Sequence, residues 1–265
     1  MSGYQNGDLF SPLVFNIGGF YVPQSLLNDY KNATNWSAYA DMIYSIENDY
    51  NPSVIHFNDT ITDTWSEIAS SEDDNSYKIK YHIGDTKTIA INGTYCKMQI
   101  IDFNKDIIAN DNEDTAKITW MTKYLFNNVY TTSLHYSGAS FMNSLYDSIQ
   151  DQTLKSLIKT VKKPTFYKNS VQTFNLKIWS LSGAELGIPN YVLTEGVEPY
   201  SIFTDNNTSR IFPIAYIGNT SRTINYRTRS SYNANYSLGI NNNTGEIMYD
   251  SSDYSSRQNP FGFCT

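Results

Sequence analysis

The sequence predicts a folded α+β protein that is rich in strands and has two or more helices. Hydrophobic residues make up 40% of the 265 residues and charged residues only 17%, a balance typical of a globular protein with a polar, weakly charged surface. An Asn-Gly pair at residues 92–93 separates two alternating stretches, which is a strong signal for a β-hairpin. Apolar residues also recur at helical spacing around residues 145 and 157.

The first predicted elements lie before residue 52. The apolar runs 13–15 and 20–22 flank Gly18-Gly19 and predict two short strands. A helix is predicted from Trp36 to Ile46, because apolar residues recur there at helical spacing and Asn51-Pro52 would end it.

A domain boundary is predicted at residue 76. Residues 70–76 read SSEDDNS, a polar and acidic stretch that predicts a linker or loop. Residues 1–76 would then form a small N-terminal region and residues 77–265 a larger, strand-rich domain. The larger domain would begin with strands at residues 78–85, 86–91 and 94–101.

Two helices are predicted in the middle of the larger domain. They cover residues 138–150 and 152–162, where apolar side chains recur at helical spacing, and Pro164 would end the second helix. After Pro164 the sequence alternates short apolar runs with turn residues, so short strands are expected up to the last residue.

Charge and hydropathy exclude several classes of partner. The net charge is −7, and no basic cluster is longer than Lys162-Lys163, so nucleic acid is not an expected partner. Residues 9–28 are uncharged, but prolines, glycines and amides interrupt them too often for a membrane helix. The first residues lack the basic and apolar regions of a secretory signal, so none is expected.

The sequence contains no recognisable catalytic motif, so an enzyme is not the favoured interpretation. Its three histidines, His56, His82 and His135, lie in apolar or strand contexts, and no G-x-S-x-G motif is present. A glycan hydrolase remains an alternative, because carboxylates are available to form a catalytic pair. Those carboxylates are Asp102, Asp106, Glu185 and Glu195.

Cys96 and Cys264 are far apart in the chain, and their spacing is not that of a metal site. Two cysteines allow at most one disulfide. Two small buried thiols are the favoured interpretation.

Eight segments follow one another in the order known from one protein family. We call them the motif segments; they are Thr64–Ile68, Tyr81–Thr88, Gln99–Asp106, Ala116–Thr119, Ile158–Lys163, Ile178–Glu185, Tyr226–Ser230 and Phe261–Thr265. Together they resemble the DUF6273 family, a domain of unknown function found in Firmicute phages, prophages and bacterial surface proteins. The resemblance covers about residues 64 to 265.

The resemblance implies a compact C-type-lectin-like domain, similar to formylglycine-generating-type proteins and phage variable receptor-binding proteins. In such proteins a mixed scaffold holds a loop-rich ligand surface near the C-terminus. This sequence departs from the family pattern at Arg227, where the family favours Trp, and at Phe141-Met142, where it usually has Met-Arg. The first departure falls on the implied ligand surface. The paired catalytic cysteines of formylglycine-generating enzymes have no match in Cys96 and Cys264, so the resemblance implies no activity.

One acidic stretch resembles a calcium-binding loop. Asp102, Asn104, Asp106 and Glu113 have the spacing of oxygen ligands in such a loop. Ile107 stands where the loop requires glycine, so a solvated acidic loop is favoured and calcium is the alternative. No other cofactor is expected.

The stretch from residue 225 to residue 254 is rich in Tyr, Asn and Ser, the mixture that antibody paratopes use. Turn-rich connections between short strands are the alternative interpretation. The candidate ligand-binding residues are Tyr226, Arg227, Arg229, Tyr232, Asn233, Asn235, Tyr236, Asn241, Asn242, Asn243, Tyr249 and Tyr254. Aromatic faces beside amides and hydroxyls suit sugars, although a protein receptor would also fit.

These observations and the resemblance predict a phage or prophage virion protein of the tail or fibre. Residues 1–76 would attach it to other virion proteins or oligomerise it, and residues 77–265 would bind a glycan or protein receptor on the bacterial host. A homo-oligomer is expected, because multivalent presentation strengthens weak sites. The alternatives are a purely structural decoration, collar or baseplate protein, and a cell-wall hydrolase.

Overall fold

The computed structural model describes residues 20–37, 40, 43–45, 59–91, 94–110, 114–125, 130–131, 138–203, 207–212, 225–233, 236–251 and 257–265. The helices are α1 Leu27–Asn32, α2 Trp65–Asp73, α3 Tyr77–Lys80, α4 Gly138–Asp147, α5 Gln152–Leu157 and α6 Pro189–Glu195. The strands up to the middle of the chain are β1 Phe20–Val22, β2 Ile43–Ser45, β3 Thr86–Ile91, β4 Thr94–Phe103, β5 Ile118–Thr122, β6 Tyr130–Thr131 and β7 Val161–Tyr167. The later strands are β8 Ser170–Leu176, β9 Trp179–Ser180, β10 Asn225–Ser231, β11 Tyr236–Asn241, β12 Ile247–Ser251, β13 Arg257–Gln258 and β14 Phe261–Cys264. These elements confirm a strand-rich α+β protein.

A five-stranded antiparallel sheet lies at the centre, in the order β3-β4-β5-β14-β9. Successive side chains of a strand point to opposite faces, and here both faces are buried. Trp120 packs in a first core with Trp65 and Phe263, whereas the next residue, Met121, packs in a second core with Leu238. The central sheet is therefore covered by apolar side chains on both sides.

Helix α2 closes the first core. Thr64 caps it: the Thr64 hydroxyl accepts a hydrogen bond from the Glu67 amide, and the Glu67 carboxylate accepts one from the Thr64 amide. This cap fixes the first turn, which places the Trp65 ring 5.2 Å from the Trp120 ring, edge to face. Residues on the N-terminal side of the predicted boundary thus share a core with residues after it. A division near residue 76 stays a prediction.

The loop predicted for residues 70–76 is wrong for residues 70–73, which continue α2. Ser71 and Glu72 are buried there, and Thr265 donates a hydrogen bond to the Glu72 carboxylate. A contact with a residue 193 positions away therefore holds this turn, and no local pattern could reveal it.

The helix predicted from Trp36 to Ile46 is also wrong at Ile43–Ser45, which is β2 and pairs in parallel with β1. Ile43 and Ser45 are both buried in this strand. Pairing with a distant strand satisfies the backbone groups of β2, and that pairing outweighs the helical spacing of its apolar side chains. The strand predicted at residues 13–15 lies outside the described residues.

The hairpin of β3 and β4 is confirmed, with Ile91 opposite Thr94 at its closed end. The strand predicted at residues 78–85 is wrong, because α3 and a tight turn occupy this segment. The Asp85 carboxylate accepts the His82 amide at 2.8 Å, and Gly84 has a φ of +95° that favours glycine. The alternating apolar residues of this segment therefore lie in a helix and a turn instead of a strand.

Helix α4 confirms the first helix predicted in the middle of the chain, but α5 is shorter than predicted and ends at Leu157. Pro164 lies inside strand β7 instead of ending a helix. Its neighbours show why a proline fits there: the amides of Lys162 and Phe166 donate to Ile107 and Glu195, away from β8. The missing N–H of Pro164 faces the same way, so the β7–β8 ladder loses no hydrogen bond.

Beyond Pro164 the structure has the predicted short strands, but it also has a helix that was not predicted, α6 at Pro189–Glu195. Strands β10, β11 and β12 form a three-stranded antiparallel sheet, with a bulge in β10 between Arg227 and Ser231. Leu238 and Ile240 of β11 pack in the second core. Within the described part of the chain, no helix has the length and hydropathy needed to cross a bilayer.

Candidate functional site

Charged side chains meet in the interior between β7, β10 and the segment before α6. We call Asp106, Lys163, Glu185, Tyr200 and Arg229 the buried network. The Lys163 side chain is only 1% exposed, and its ammonium donates to Asp106, to the Tyr200 hydroxyl and, at 3.0 Å, to Glu185 Oε1. The same ammonium lies 3.7 Å from the centre of the Trp179 ring. Lys163 is therefore held by charge, hydrogen bonds and an aromatic face together.

Arg229 supplies the second cation of the network. Its guanidinium donates to Glu185 Oε2, to the Ser180 carbonyl at 2.7 Å and to Thr165 Oγ1 at 2.8 Å. Burial alone would raise the pKa of Glu185, but Arg229 and Lys163 outweigh burial and lower that pKa to about 2. Each carboxylate of the network thus lies against a cation, as buried charges require.

Glu195 of α6 ties the network to its surroundings. Its Oε1 accepts the Ser230 hydroxyl at 2.6 Å and the Phe166 amide at 2.8 Å. Its Oε2 accepts the Ala184 amide at 3.3 Å. One buried carboxylate therefore joins α6, β7 and β10.

Five of the eight motif segments contribute to this network or contact it. Asp106, Lys163, Glu185 and Arg229 come from four different motif segments, and each lies at or next to the end of its segment. A fifth segment brings Cys264, whose Sγ lies 3.2 Å from Asp106 Oδ2. Burial raises the pKa of the Cys264 thiol well above its usual range, and the negative charge of Asp106 adds to this effect. The segments that carry the family resemblance therefore supply residues of the protein interior.

A second feature lies on the surface, at the end of the β10–β12 sheet. We call Tyr232, Tyr236 and Tyr249 the tyrosine surface; they are 44%, 43% and 58% exposed. The rings of Tyr232 and Tyr249 have centroids 3.9 Å apart. Ser231 pairs with Ser237 and Leu238 with Tyr249, so the three tyrosines share one face of the sheet with Leu238. The face that fills the second core thus continues outward as exposed aromatic rings.

Tyr191 of α6 supports the tyrosine surface from below. Its hydroxyl donates to the Ser231 carbonyl at 3.0 Å. Its ring lies so close to Gly183 that a Cβ there would be 2.6 Å from Tyr191 Cγ. Burial raises the pKa of Tyr191, and Glu195, Tyr249 and Tyr232 raise it further, in that order. Tyr191 therefore lies between the buried network and the tyrosine surface and contacts the surroundings of both.

Three predicted ligand-binding residues, Tyr226, Arg227 and Asn242, are buried, and the side chain of a fourth, Arg229, is only 9% exposed. Tyr226 donates its hydroxyl to the Arg210 carbonyl at 2.7 Å, and the Asn242 amide bonds both backbone groups of Phe212. Arg229 belongs to the network, and Arg227 is also buried. Sequence reasoning placed them on the surface because polar and aromatic residue types are common there. The signal available in the sequence for Arg229 was its place in the motif segment Tyr226–Ser230.

The predicted asparagines that the structure describes shape turns. Asn233 Oδ1 accepts the Tyr236 amide at 3.0 Å, and Asn241 Oδ1 accepts the Asn243 amide at 3.0 Å. Asn243 is exposed at the tip of its turn. Asn235 and Tyr254 lie outside the described residues. The tyrosine surface thus contains three of the predicted residues, and Asn233 helps to fix its geometry.

The side chains considered for calcium have separate protein partners. Asp102 accepts the Ser201 amide and hydroxyl at 2.9 and 3.0 Å, Asn104 accepts the Tyr77 hydroxyl at 2.5 Å, and Asp106 belongs to the network. Glu113 is not among the described residues. Within the described ranges, no three His, Cys, Asp or Glu side chains are placed to share a metal ion.

The remaining candidate groups are also buried. Asp102, Asp106, Glu185 and Glu195 all accept hydrogen bonds from protein groups and are at most 7% exposed. Cys96 and Cys264 are free thiols in the interior and do not form a disulfide with each other.

The fold and the site define a strand-rich α+β protein with a charged interior and an exposed aromatic face. The family model described as "Domain of unknown function (DUF6273)" matches residues 102–257, more than half of the chain. The chain therefore belongs to the DUF6273 family. Comparison with curated proteins and with solved structures found no match. The matched range contains the whole buried network and the tyrosine surface, and the C-type-lectin-like arrangement stays a prediction.

Proposed function

We propose that the protein is a recognition module whose tyrosine surface binds a glycan on the bacterial cell surface. The observation that carries this proposal is the exposed pair of Tyr232 and Tyr249, with ring centroids 3.9 Å apart on an ordered sheet. Exposed aromatic faces with polar hydroxyls stack on sugar rings and hydrogen-bond their hydroxyl groups. Rigid tyrosines also lose little conformational entropy on binding.

The support beneath the tyrosines favours binding over a role in packing alone. Tyr191 fixes the end of β10 by donating to the Ser231 carbonyl, and Asn233 holds the turn that presents Tyr236. A surface held in place before the ligand arrives pays less ordering entropy on binding. Hydrogen bonds thus hold the backbone beside the exposed rings at two points, which supports a recognition role.

The setting proposed for this activity is a phage or prophage particle. Its basis is the resemblance to a family found in phages and prophages. In this proposal the protein is a tail or fibre component of the virion, and residues 1–76 contact other virion proteins or further copies of the chain. Several copies would engage one cell at once, which strengthens weak individual sites.

The test uses the full chain and two probes, a glycan array and intact bacterial cells. We expect binding to at least one of them, and a loss of about tenfold or more when Tyr232→Ala and Tyr249→Ala are combined. The matched control is Leu193→Ala, an exposed apolar residue on α6, which should bind like the unchanged protein. Tyr232→Phe with Tyr249→Phe keeps the rings and should retain most of the affinity.

Two outcomes would contradict the proposal. If the double alanine variant folds and binds as well as the unchanged protein, the tyrosine surface is not the site. If the chain binds neither probe but assembles with a virion protein, it is a structural virion component. Release of reducing sugar from bacterial walls would instead favour the hydrolase alternative.

A further inference from the structure

Strand β8 has one edge that no described strand covers. It pairs with β7 in a two-stranded sheet, with Pro164 opposite Thr173 and Phe166 opposite Val171. In an antiparallel pair, two opposite residues direct their backbone groups either towards each other or both away. The Phe166 amide donates to Glu195, away from β8. The backbone N–H and C=O groups of Val171, Thr173 and Asn175 therefore point away from β7, towards the free edge.

This edge is exposed and uncharged. Val171, Thr173 and Asn175 are all exposed, and their backbone groups have no hydrogen-bond partner among the described residues. The strand reads SVQTFNL, without a charge, a proline or a glycine. Proteins usually protect free edges with lysines, prolines, bulges or a covering loop. Strand β8 has none of the first three along its length, and its outward residues are exposed, so the described part of the chain leaves this edge available for strand pairing.

The backbone array of the edge is self-complementary. We propose that two copies of this chain pair through β8, antiparallel, about a twofold axis at Thr173. Val171 then lies opposite the partner's Asn175, and Thr173 lies opposite the partner's Thr173. The backbone groups of all these residues point away from β7, so each opposite pair exchanges both of its backbone hydrogen bonds. The result is a continuous sheet in the order β7-β8-β8-β7.

The side chains are compatible with this register. Gln172 lies opposite the partner's Phe174, and no two like charges face each other along the paired residues. A second copy supplies a matching uncharged edge, because outward groups lie symmetrically on both sides of Thr173 in each strand. One register therefore satisfies every outward group of both strands.

This inference goes beyond the proposed function, because β8 shares no residue with the tyrosine surface. Pairing would place two tyrosine surfaces in one dimer, which raises avidity without a new contact to the ligand. Loss of pairing and loss of ligand binding can be measured separately.

The first test measures the mass of the full chain in solution by light scattering. We expect twice the chain mass of 30.2 kDa, or a larger even-numbered assembly. Thr173→Lys sets two ammonium groups directly opposite each other at the axis, so it should halve the mass. Leu193→Lys adds the same charge at an exposed position on α6 and should leave the mass unchanged. A single-chain mass for the unchanged protein, or an unchanged mass for Thr173→Lys, would overturn the proposal.

The second test fixes the register with disulfides, using oxidised glutathione as the oxidant. Both native cysteines are buried, so an introduced thiol on β8 is the accessible one. Thr173→Cys should form a covalent dimer, because opposite Cα atoms in this register are about 5.5 Å apart, within the span of a disulfide. Gln172→Cys is the matched control and should stay uncrosslinked, since its opposite residue is the partner's Phe174. The reverse pattern, or no crosslink from Thr173→Cys, would overturn this register.

Discussion

Strand β10 and the turn that follows it contribute to two very different regions. Arg229 points inward and binds Glu185 in the buried network, whereas Tyr232, three residues later, is 44% exposed on the tyrosine surface. Both residues belong to one polar stretch with a uniform composition of Tyr, Asn, Ser and Arg. The comparison shows that polarity alone does not place a residue on the outside. A charged residue can be buried where other segments supply its counter-charges.

The two regions also differ in what their side chains contribute to stability. A buried ion pair contributes little relative to an apolar core, but removal of one partner leaves the other charge buried and unpaired. Truncation of an exposed tyrosine lowers the stability of the protein only a little. Substitutions in the network should therefore change folding, and those on the tyrosine surface should change binding.

The largest expected effect comes from Arg229→Met. It removes one of the two cations on Glu185, so the free energy of unfolding should fall by about 3–5 kcal/mol, measured by urea denaturation. Lys168→Met is the control, because Lys168 is exposed in the β7–β8 turn, and it should change stability by no more than about 0.5 kcal/mol. Equal effects of the two substitutions would show that the network does not hold the fold.

The pH dependence of stability should show two opposite slopes. The pKa of Glu185 is lowered from 4.5 to about 2, so its ionised form stabilises the fold above pH 4.5, and this stability is lost as the pH falls towards 2. Burial raises the pKa of Glu72 from 4.5 to about 7, although a hydrogen bond from Thr265 opposes the shift. The folded state therefore binds this proton more tightly, and stability should fall as the pH rises from 4.5 to 7. Over each pH range the free energy of unfolding should change by about 3 kcal/mol.

Thermal unfolding across this pH range measures both slopes. Glu72→Gln cannot ionise, so its stability should fall less between pH 5 and pH 7 than that of the unchanged protein. The acidic slope should remain in this variant, because Glu185 is unchanged. An identical decline above pH 5 in both proteins would rule out Glu72 as its cause.

A smaller loss is expected for Gly183→Ala, at the contact between the two regions. The new Cβ would lie 2.6 Å from Tyr191 Cγ and 2.8 Å from Leu238 Cδ2, and such overpacking typically costs about 1–3 kcal/mol. The displaced Tyr191 would also disturb the tyrosine surface, so ligand binding should weaken. Combining Gly183→Ala with Tyr191→Ala should destabilise less than the sum of the two changes. Strict additivity in denaturation would contradict the proposed clash.

The smallest effect on stability is expected for Tyr232→Ala. The side chain is exposed and its ring contacts that of Tyr249, so the free energy of unfolding should change by about 0.5 kcal/mol or less. Calorimetry checks this value, and the glycan array checks the loss of binding. A loss of stability as large as that of Gly183→Ala would make Tyr232 a packing residue and would remove the contrast between the regions.

Local signals predicted part of the fold correctly. Alternation around Asn92-Gly93 predicted the hairpin of β3 and β4, and apolar spacing predicted α4, because neighbouring residues set both patterns. The same kind of signal failed at Ile43–Ser45, where pairing with β1 outweighs helical spacing. For the site, the Tyr-rich composition pointed to tyrosines that are exposed in the structure, but it also included Tyr226, which is buried, and Arg229, whose side chain is only 9% exposed.

The sequence by itself determined the class of fold, the family and the segment that carries the exposed tyrosines. Only the tertiary structure decided that five of the motif segments meet in one charged interior. Glu185 lies 22 residues from Lys163 and 44 residues from Arg229 along the chain. A cation can be buried only where its counter-charges and hydrogen-bond acceptors are already in place. The strands and turns between these residues bring them together, and no local pattern in the sequence encodes this contact in space.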